Sequence, residues 1–216
     1  MTTVACTSDK VTTANYYFDP DNGNDTGIGT SQDQAFLSLS KINDLDLQPG
    51  DSVLLKSGAL FTEPLYISCK GDSAKPVVVG KYGGDTKPHI KGNGSQLQAV
   101  HVFNSEYLVV RDLEISNKGE TPFEKQNGLF VELKDFGTSH NITIDNLFVH
   151  DVFGSMVKEK GAGHAIYLKN NNDDDTLSRS SHFDGLLLQN CHIKDCQRNG
   201  IIIWGNWVRR RWDPNL

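Results

Sequence analysis

The sequence predicts an all-β protein, a right-handed parallel β-helix (solenoid) with a short N-terminal capping helix. The composition is the first reason, because twenty glycines and many Asn and Asp residues are typical of a turn-rich β protein. The second is apolar alternation with a period of two, which indicates strands rather than helices. The third is a repeated segment in the second half, which can bury its apolar side only by stacking on further copies.

Length and charge exclude several classes of protein. The chain has 216 residues, 37% of them hydrophobic, and a formal net charge of -6. It can form one domain with a sizeable core, but it has no apolar run long enough to span a bilayer. The acidic balance argues against a nucleic-acid partner. Neither the four cysteines nor the seven histidines follow a known metal spacing, so we expect no metal site.

The first 14 residues precede the first strand pattern and have two open interpretations. The stretch Val-Ala-Cys ending at Cys6 is similar to the end of a bacterial lipoprotein signal, although the basic and apolar regions that should come first are absent. If Cys6 carries a lipid, residues 1–14 tether a secreted, periplasmic or outer-membrane lipoprotein to a membrane. Otherwise they form a disordered end.

The elements that follow can be read in order. "YYF" from Tyr16 is a short aromatic strand, followed by a loop of Asp, Asn and Gly. Apolar residues then recur at helical spacing, which predicts one amphipathic helix that ends at Pro49 and covers the open edge of the first coil. Its apolar positions are Phe36, Leu39, Ile42 and Leu45. The segments "SVLLKSG", "PLYIS", "PVVVGKYG" and "PHIKGNG" are then predicted strands.

From Leu108 the pattern becomes a repeat of "LVVRDLEISN", "ITIDNLFVHD" and "LLLQNCHIKD". Equivalent Asx residues stand at one corner of each copy, where we expect a hydrogen-bonded ladder: Asp112, Asn146 and Asn190. Their separations are 34 and 44 residues, and the longer one includes the insertion at 170–181. Residues 15–216 are therefore predicted to form a single β-helix domain.

A second strand follows each copy: "NGLFVELKD", "GHAIYLKN" and "NGIIIWGN". Aligning their glycines, Gly128, Gly163 and Gly200, predicts which outward side chains stack on one another. One predicted column is Glu132, Tyr167 and Trp204, and the next is Lys134, Lys169 and Asn206. Since neighbouring strands lie about 4.8 Å apart, these columns would make a continuous strip. Aromatic, charged and amide groups side by side suit a sugar, so we expect the strip to bind glycan. In the alternative, Trp204 packs under the 170–181 insertion and the lysines are solvated.

The chain resembles the pectate-lyase-like superfamily of right-handed β-helix proteins, in particular its secreted, polysaccharide-active bacterial members. The resemblance begins with "YYFDPDNGNDTGIGTSQDQAFLSLSKINDLDLQPGD", continues through "PVVVGKYGGDTKPHIKGNG" and covers residues 16–206. The superfamily includes polysaccharide lyases, glycoside hydrolases and proteins without known activity. Because its members usually have more coils than can be counted here, the resemblance implies an N-terminal portion of a longer protein. Whether catalytic residues lie beyond Leu216 stays open.

Hydrolysis of a glycosidic bond usually needs two carboxylates that flank the bond. The catalytic candidates are Glu132, Asp151 and Asp195, although the two aspartates also stand at corner positions where an Asx ladder competes. His150 should face outward and is a fourth candidate. Adjacent residues of a strand point to opposite faces, so we do not expect His150 and Asp151 to touch.

A lyase acting on uronic-acid polymers is the first alternative. It needs a Lys or Arg base and often a calcium ion, and Lys134, Lys169 and Arg198 could serve as the base. The acidic runs at 19–25 and 170–175 lack the spacing of a calcium loop, which favours the hydrolase. The second alternative is a non-catalytic glycan-binding surface protein. In every case the expected partner is a polysaccharide or oligosaccharide, with Arg198 also contributing to its binding.

Overall fold

The structure, a computed structural model, describes residues 13–121, 124–157, 160, 163–171 and 179–205. These residues form three sheets. The first sheet contains β1 (Asn15–Phe18), β2 (Ser52–Lys56), β5 (Val77–Tyr82), β8 (Leu108–Arg111), β11 (Thr138–Asp145) and β14 (His182–Gln189). The second sheet contains β3 (Leu60–Phe61), β6 (His89–Lys91), β9 (Glu114–Asn117), β12 (Phe148–Val152) and β15 (His192–Cys196). The third sheet contains β4 (Leu65–Ile67), β7 (Gln98–Phe103), β10 (Asn127–Lys134), β13 (His164–Asn171) and β16 (Asn199–Gly205).

The chain visits the three sheets in strict rotation. After β1, each set of three consecutive strands contributes one strand to each sheet, and every strand pairs in parallel with its equivalent in the next set. We call each set a coil, so that coil 1 is β2 to β4 and coil 5 is β14 to β16. The protein is thus nearly all β, with parallel sheets and very little helix, which is consistent with the predicted solenoid.

The core lies between the three sheets and follows the predicted repeat. Leu108, Ile142 and Leu186 pair across β8, β11 and β14, and Ile115, Val149 and Ile193 pair across β9, β12 and β15. The first two members of each set are fully buried, because coils stack on both sides of them. In coil 5 the inward positions are more open, and Ile203 is 67% exposed.

The corners between the first and second sheets hold the predicted Asx residues. Asp112, Asn146 and Asn190 all have positive φ angles of 60°, 53° and 54°. Asn and Asp tolerate this left-handed conformation better than most other non-glycine residues, which explains their recurrence at the corner. The side chain of Asn146 donates to Asp112 Oδ1 at 2.7 Å, as a ladder requires. Asn190 instead donates to Asp145 Oδ1 at 2.8 Å, so the ladder is interrupted at the last step.

The predicted capping helix is present only as short 3-10 turns, Gln32–Gln34 and Leu39–Asp44. The spacing of three residues from Phe36 to Leu45 matches the three residues per turn of a 3-10 helix, and the helical part of this segment runs over Leu39–Asp44. The backbone of Phe36 forms an isolated parallel β-bridge with Phe18 of β1. Leu39 and Ile42 are buried and belong to the core, and the second 3-10 helix contacts β4. The cap therefore covers an N-terminal edge of the stack.

Three predictions concern residues outside the described ranges, namely the lipid anchor at Cys6, the sugar contact at Asn206 and the role of the 170–181 insertion, of which 172–178 lie outside. Within the described ranges, no helix combines the length and apolar character needed to cross a membrane. The cysteines at 69, 191 and 196 are free thiols there.

Candidate functional site

A groove of about 510 Å³ runs along the outer face of the third sheet. Outward side chains of β10, β13 and β16 form its floor, so it crosses coils 3, 4 and 5. Its apolar lining residues are Leu97, Phe130, Tyr167, Ile202 and Trp204. Its polar and charged lining residues are Gln98, Lys125, Asn127, Glu132, His164, Lys169 and Arg198. We call this the third-sheet groove.

Aromatic rings are stacked across the coils on this face. Tyr66, His101, Phe130 and Tyr167 occupy paired outward positions of β4, β7, β10 and β13. The ring centroids of His101 and Phe130 are 5.1 Å apart, and those of Phe130 and Tyr167 are 5.0 Å apart. Parallel in-register strands bring equivalent side chains to this spacing, which is also the spacing of stacked rings. The column ends at Ile202, which pairs with Tyr167.

A charged column lies beside the aromatic one. Glu132, Lys169 and Trp204 pair in β10, β13 and β16, and the ammonium group of Lys169 lies 5.0 Å from the centre of a Trp204 ring. This is the geometry of a cation–π contact. On the other side, Glu132 Oε2 is 3.2 Å from His101 Nε2. The groove therefore combines an indole, a carboxylate and an ammonium group within two strand spacings.

The predicted stacking of Glu132, Tyr167 and Trp204 was wrong in the middle strand. The structure pairs Phe130 with Tyr167 and Glu132 with Lys169, a shift of two residues. Gly163 was aligned with Gly128, but Ala165 is the residue that lies between Gly128 and Gly200 in the stack. A shift of two preserves the alternation of faces, so the side chains still point outward as predicted.

The structure brings most of the proposed sugar-binding residues together. Tyr167, Lys169, Arg198 and Trp204 line the third-sheet groove with Glu132. Lys134, at the end of β10, is not among the lining residues, and its backbone N–H donates to Asn104 Oδ1 at 2.8 Å. Their predicted roles in sugar binding remain predictions.

Burial and charge alter the titration of two groups in the groove. Burial, aided by the negative charge of Glu132, raises the pKa of Tyr167, so its hydroxyl stays protonated and can donate a hydrogen bond. Burial, aided by the nearby Arg198, lowers the pKa of His164 to about 4. His164 is 5% exposed, and no residue within the described ranges forms a hydrogen bond with its Nδ1 atom.

The other catalytic candidates lie on a different sheet. His150 and Asp151 belong to β12 and Asp195 to β15, both in the second sheet, whereas Glu132 belongs to the third. Asp195 is close to Lys194, with 3.3 Å between Oδ2 and Nζ. Among the described lining residues of the third-sheet groove, Glu132 is the single carboxylate. The four candidates therefore do not form one hydrolytic site.

His150 and Asp151 are in contact, contrary to the prediction. His150 Nδ1 is 2.8 Å from Asp151 Oδ2. Asp151 has a φ of 48°, and the pairing with β9 shifts register at this point, so the normal alternation of faces fails. The hydrogen bond from His150, together with one from Lys118, holds the pKa of the Asp151 carboxyl below its usual value.

The structure also brings together a group of residues that sequence reasoning missed. His89 of β6, Glu114 of β9 and His150 of β12 have ligand-type atoms that all lie within 4.8 Å of one another. We call this the second-sheet cluster. Glu114 pairs with His89, and Ser116 pairs with His150. Extending the repeat back to "PHIKGNG" would have aligned His89 with Glu114, which is the signal that was available.

The chain is similar to known carbohydrate-active proteins. No family model matches it. A lacto-N-biosidase of Bifidobacterium longum subsp. longum is 27% identical over an alignment 250 residues long, and the alignment covers 87% of this chain and 16% of that protein. The crystal structure of a GH136 lacto-N-biosidase from Eubacterium ramulus matches with a TM-score of 0.78 and 29% identity, covering 89% of this chain and 36% of that one. A rhamnogalacturonan lyase structure matches with a TM-score of 0.51 and 15% identity, covering 87% of this chain and 58% of that one, a likeness of fold alone.

Proposed function

We propose that this chain is part of a glycoside hydrolase that acts on an oligosaccharide, and that the third-sheet groove contacts the sugar. The observation that carries the proposal is the similarity to lacto-N-biosidases in both sequence and structure. Since the chain spans 16% of the curated relative and 36% of the solved one, the activity is proposed for the larger protein to which these coils correspond. The lyase alternative has weaker support, because the lyase likeness concerns only the fold.

The three sheets support a right-handed parallel β-helix as the scaffold. Successive strands of one sheet are joined by a crossover that passes through the other two sheets. Crossovers between parallel strands of one sheet are right-handed in nearly all proteins. The proposed location is outside the cell, as a secreted or surface-anchored protein, because the expected substrate is an extracellular glycan.

The chemistry of the groove suits a sugar. The exposed faces of Tyr167 and Trp204 can pack against the apolar face of a pyranose ring. Lys169, Arg198 and the protonated hydroxyl of Tyr167 can donate to ring hydroxyls and to the glycosidic oxygen. Glu132 is 19% exposed at its side chain and is the proposed acid or base, positioned by His101. The second carboxylate of a hydrolytic pair would come from another part of the larger protein.

Sugar binding provides the direct test of the groove. Oligosaccharides that end in lacto-N-biose, the disaccharide in the relatives' name, would be titrated into the chain by calorimetry or by NMR. We expect Trp204→Ala to weaken binding about tenfold, which corresponds to roughly 1.4 kcal/mol. Leu187→Ala is the matched control, because Leu187 is an exposed apolar residue of the same coil on the first sheet. Equal loss in both variants, or no binding by the unaltered chain at millimolar sugar, would contradict the proposal.

The proposed role of Glu132 has its own test. In any preparation that hydrolyses the sugar, Glu132→Gln should lower kcat by about 10² to 10⁴ while leaving the dissociation constant of the sugar nearly unchanged. Glu63→Gln is the control, because Glu63 is an exposed carboxylate of coil 1 that does not line the groove. An unchanged kcat in Glu132→Gln would exclude Glu132 from catalysis.

A further inference from the structure

The second-sheet cluster lies on three successive coils. His89 is in coil 2, Glu114 in coil 3 and His150 in coil 4. All three are in strands, so the hydrogen bonds of the sheet fix their backbones. The side chains are partly buried, with exposures of 23%, 28% and 17%. A ligand held here would connect three coils and would still be reachable from solvent.

Two of the three distances between the ligand-type atoms are close to those around a small metal ion, and the third is within 4.8 Å. Glu114 Oε1 is 3.0 Å from His150 Nε2 and 3.6 Å from His89 Nδ1. Zinc binds imidazole nitrogen and carboxylate oxygen at about 2.0 to 2.1 Å, which places tetrahedral ligands roughly 3.3 Å apart. The two observed distances lie on either side of this value, so small side-chain movements would complete the geometry.

The remaining ring nitrogens already have the partners that metal-binding histidines need. His150 Nδ1 is 2.8 Å from Asp151 Oδ2, and His89 Nε2 is 2.8 Å from Ser116 Oγ. In metal sites, the nitrogen that does not bind the metal almost always donates to a carboxylate, a carbonyl or a similar acceptor, and this contact orients the ring. Both histidines show that pattern here, with Nε2 of one and Nδ1 of the other directed at Glu114.

The position of His150 between two carboxylates is a further reason. Its Nδ1 is 2.8 Å from Asp151 Oδ2 and its Nε2 is 3.0 Å from Glu114 Oε1, so carboxylate oxygens lie beside both ring nitrogens. A cation between His150 Nε2 and Glu114 would be bound by both side chains while Asp151 holds the ring in place. The left-handed φ of Asp151 is part of the same arrangement, because it turns the Asp151 carboxylate toward His150 rather than to the opposite face of the strand.

We propose that His89, Glu114 and His150 bind one divalent transition-metal ion, with zinc as the best fit, and that the ion links coils 2, 3 and 4. Two imidazoles and one carboxylate favour zinc, cobalt or nickel over calcium and magnesium, which prefer oxygen ligands. Three protein ligands leave a fourth position for water. Asp151 and Ser116 are positioning residues. The site lies on a different sheet from the third-sheet groove, so it does not depend on the proposed hydrolase activity.

The test uses the whole chain without a purification tag, freed of metal by a chelator. Zn²⁺ would be titrated by calorimetry, and Co²⁺ by its visible absorption. We expect one ion per chain, an intense tetrahedral cobalt spectrum, and no thiolate-to-cobalt charge-transfer band of the kind that a cysteine site would give. Ca²⁺ at the same concentration should give no binding heat. Glu114→Gln, which preserves the size of the side chain, should abolish saturable binding.

Two further variants separate the ligands from their surroundings. Asp151→Asn should weaken the affinity for Zn²⁺ by about 10- to 100-fold without changing the stoichiometry. His140→Asn is the matched control, because His140 also pairs with a carboxylate, that of Asp184 at 3.1 Å, but on the first sheet. It should bind Zn²⁺ like the unaltered chain.

Several results would overturn the proposal. Equal affinity in Glu114→Gln and in the unaltered chain would place the ion elsewhere, and so would loss of binding in His140→Asn. If Glu114→Gln does not fold, the unaltered chain still decides the matter through its melting temperature, which must rise with added Zn²⁺ and not with Ca²⁺. Absence of any binding would mean that the cluster is only a set of hydrogen bonds.

Discussion

The buried His164 should make the stability of the fold depend on pH in a specific window. Its pKa is lowered from 6.5 to about 4 by burial and by the nearby Arg198. The unfolded chain therefore binds a proton more readily than the folded chain between these two values. The contribution of neutral His164 is fully present above pH 6.5 and is lost as the pH falls toward 4.

The size of the effect follows from the shift. One pKa unit corresponds to about 1.4 kcal/mol, so lowering the pH from about 7.5 to about 5 should remove about 2 kcal/mol from the free energy of unfolding. His164→Asn should abolish this loss. Asparagine is suitable because the stack places His164 between Asn127 and Asn199, so the site is already bounded by asparagine in the neighbouring coils.

Urea denaturation at the two pH values gives the free energy of unfolding for both proteins. We expect the unaltered chain to lose about 1 to 2 kcal/mol more than His164→Asn as the pH falls. His182→Asn, which replaces an exposed histidine of the first sheet, controls for the general loss of an imidazole. Parallel losses in the unaltered chain and in His164→Asn would show that His164 is protonated as easily in the folded state as in the unfolded one.

Three further predictions concern the core. Asn117 is fully buried, and its side-chain amide donates to Asn127 O at 2.9 Å. Asn117→Ala should therefore lower the free energy of unfolding, measured by urea denaturation, by about 2 to 4 kcal/mol, and a loss below about 1 kcal/mol would contradict this. A Cβ atom at Gly128 would lie 2.6 Å from the carbonyl oxygen of Ala165. Gly128→Ala should therefore lower the melting temperature by several degrees, and an unchanged melting temperature would be inconsistent with this packing. Burial raises the pKa of Cys69 to about 12. This thiol should therefore react with a disulfide reagent near pH 8 only after denaturant is added. Labelling of Cys69 in the folded chain, detected by mass spectrometry, would contradict this.

The repeat predicted much of the fold, because it depends on local alternation and on equivalent positions. The apolar pairing of Leu108, Ile142 and Leu186 is confirmed. The short cap was predicted at the right place, but its helical part begins at Leu39 because Phe36 is held in a β-bridge with Phe18. The register of β13 was misplaced because a glycine marked the equivalent position in two coils but not in the third.

The sites were predicted less well, because they depend on contacts between coils. The outward direction of Glu132, Tyr167 and Trp204 followed from alternation, and all three line the third-sheet groove. The contact between His150 and Asp151 could not be predicted, since a left-handed corner residue breaks that alternation. The second-sheet cluster required the register of three strands, of which the recognised repeat contained only two.

The order of the coils along the stack also determines how far the effect of a single substitution extends. Each strand contacts its equivalents in the coils directly before and after it. The cooperativity of folding therefore depends on the interfaces between neighbouring coils. A substitution in coil 3 should therefore weaken its interfaces with both coil 2 and coil 4, and among the described residues one in coil 5 should weaken the interface with coil 4. The rate of amide hydrogen exchange should vary along the stack, with the slowest amides in the middle coils. Opening events should begin in coil 5, where the inward residues are already partly exposed. In such a molecule, the position of a residue along the stack matters as much as its burial.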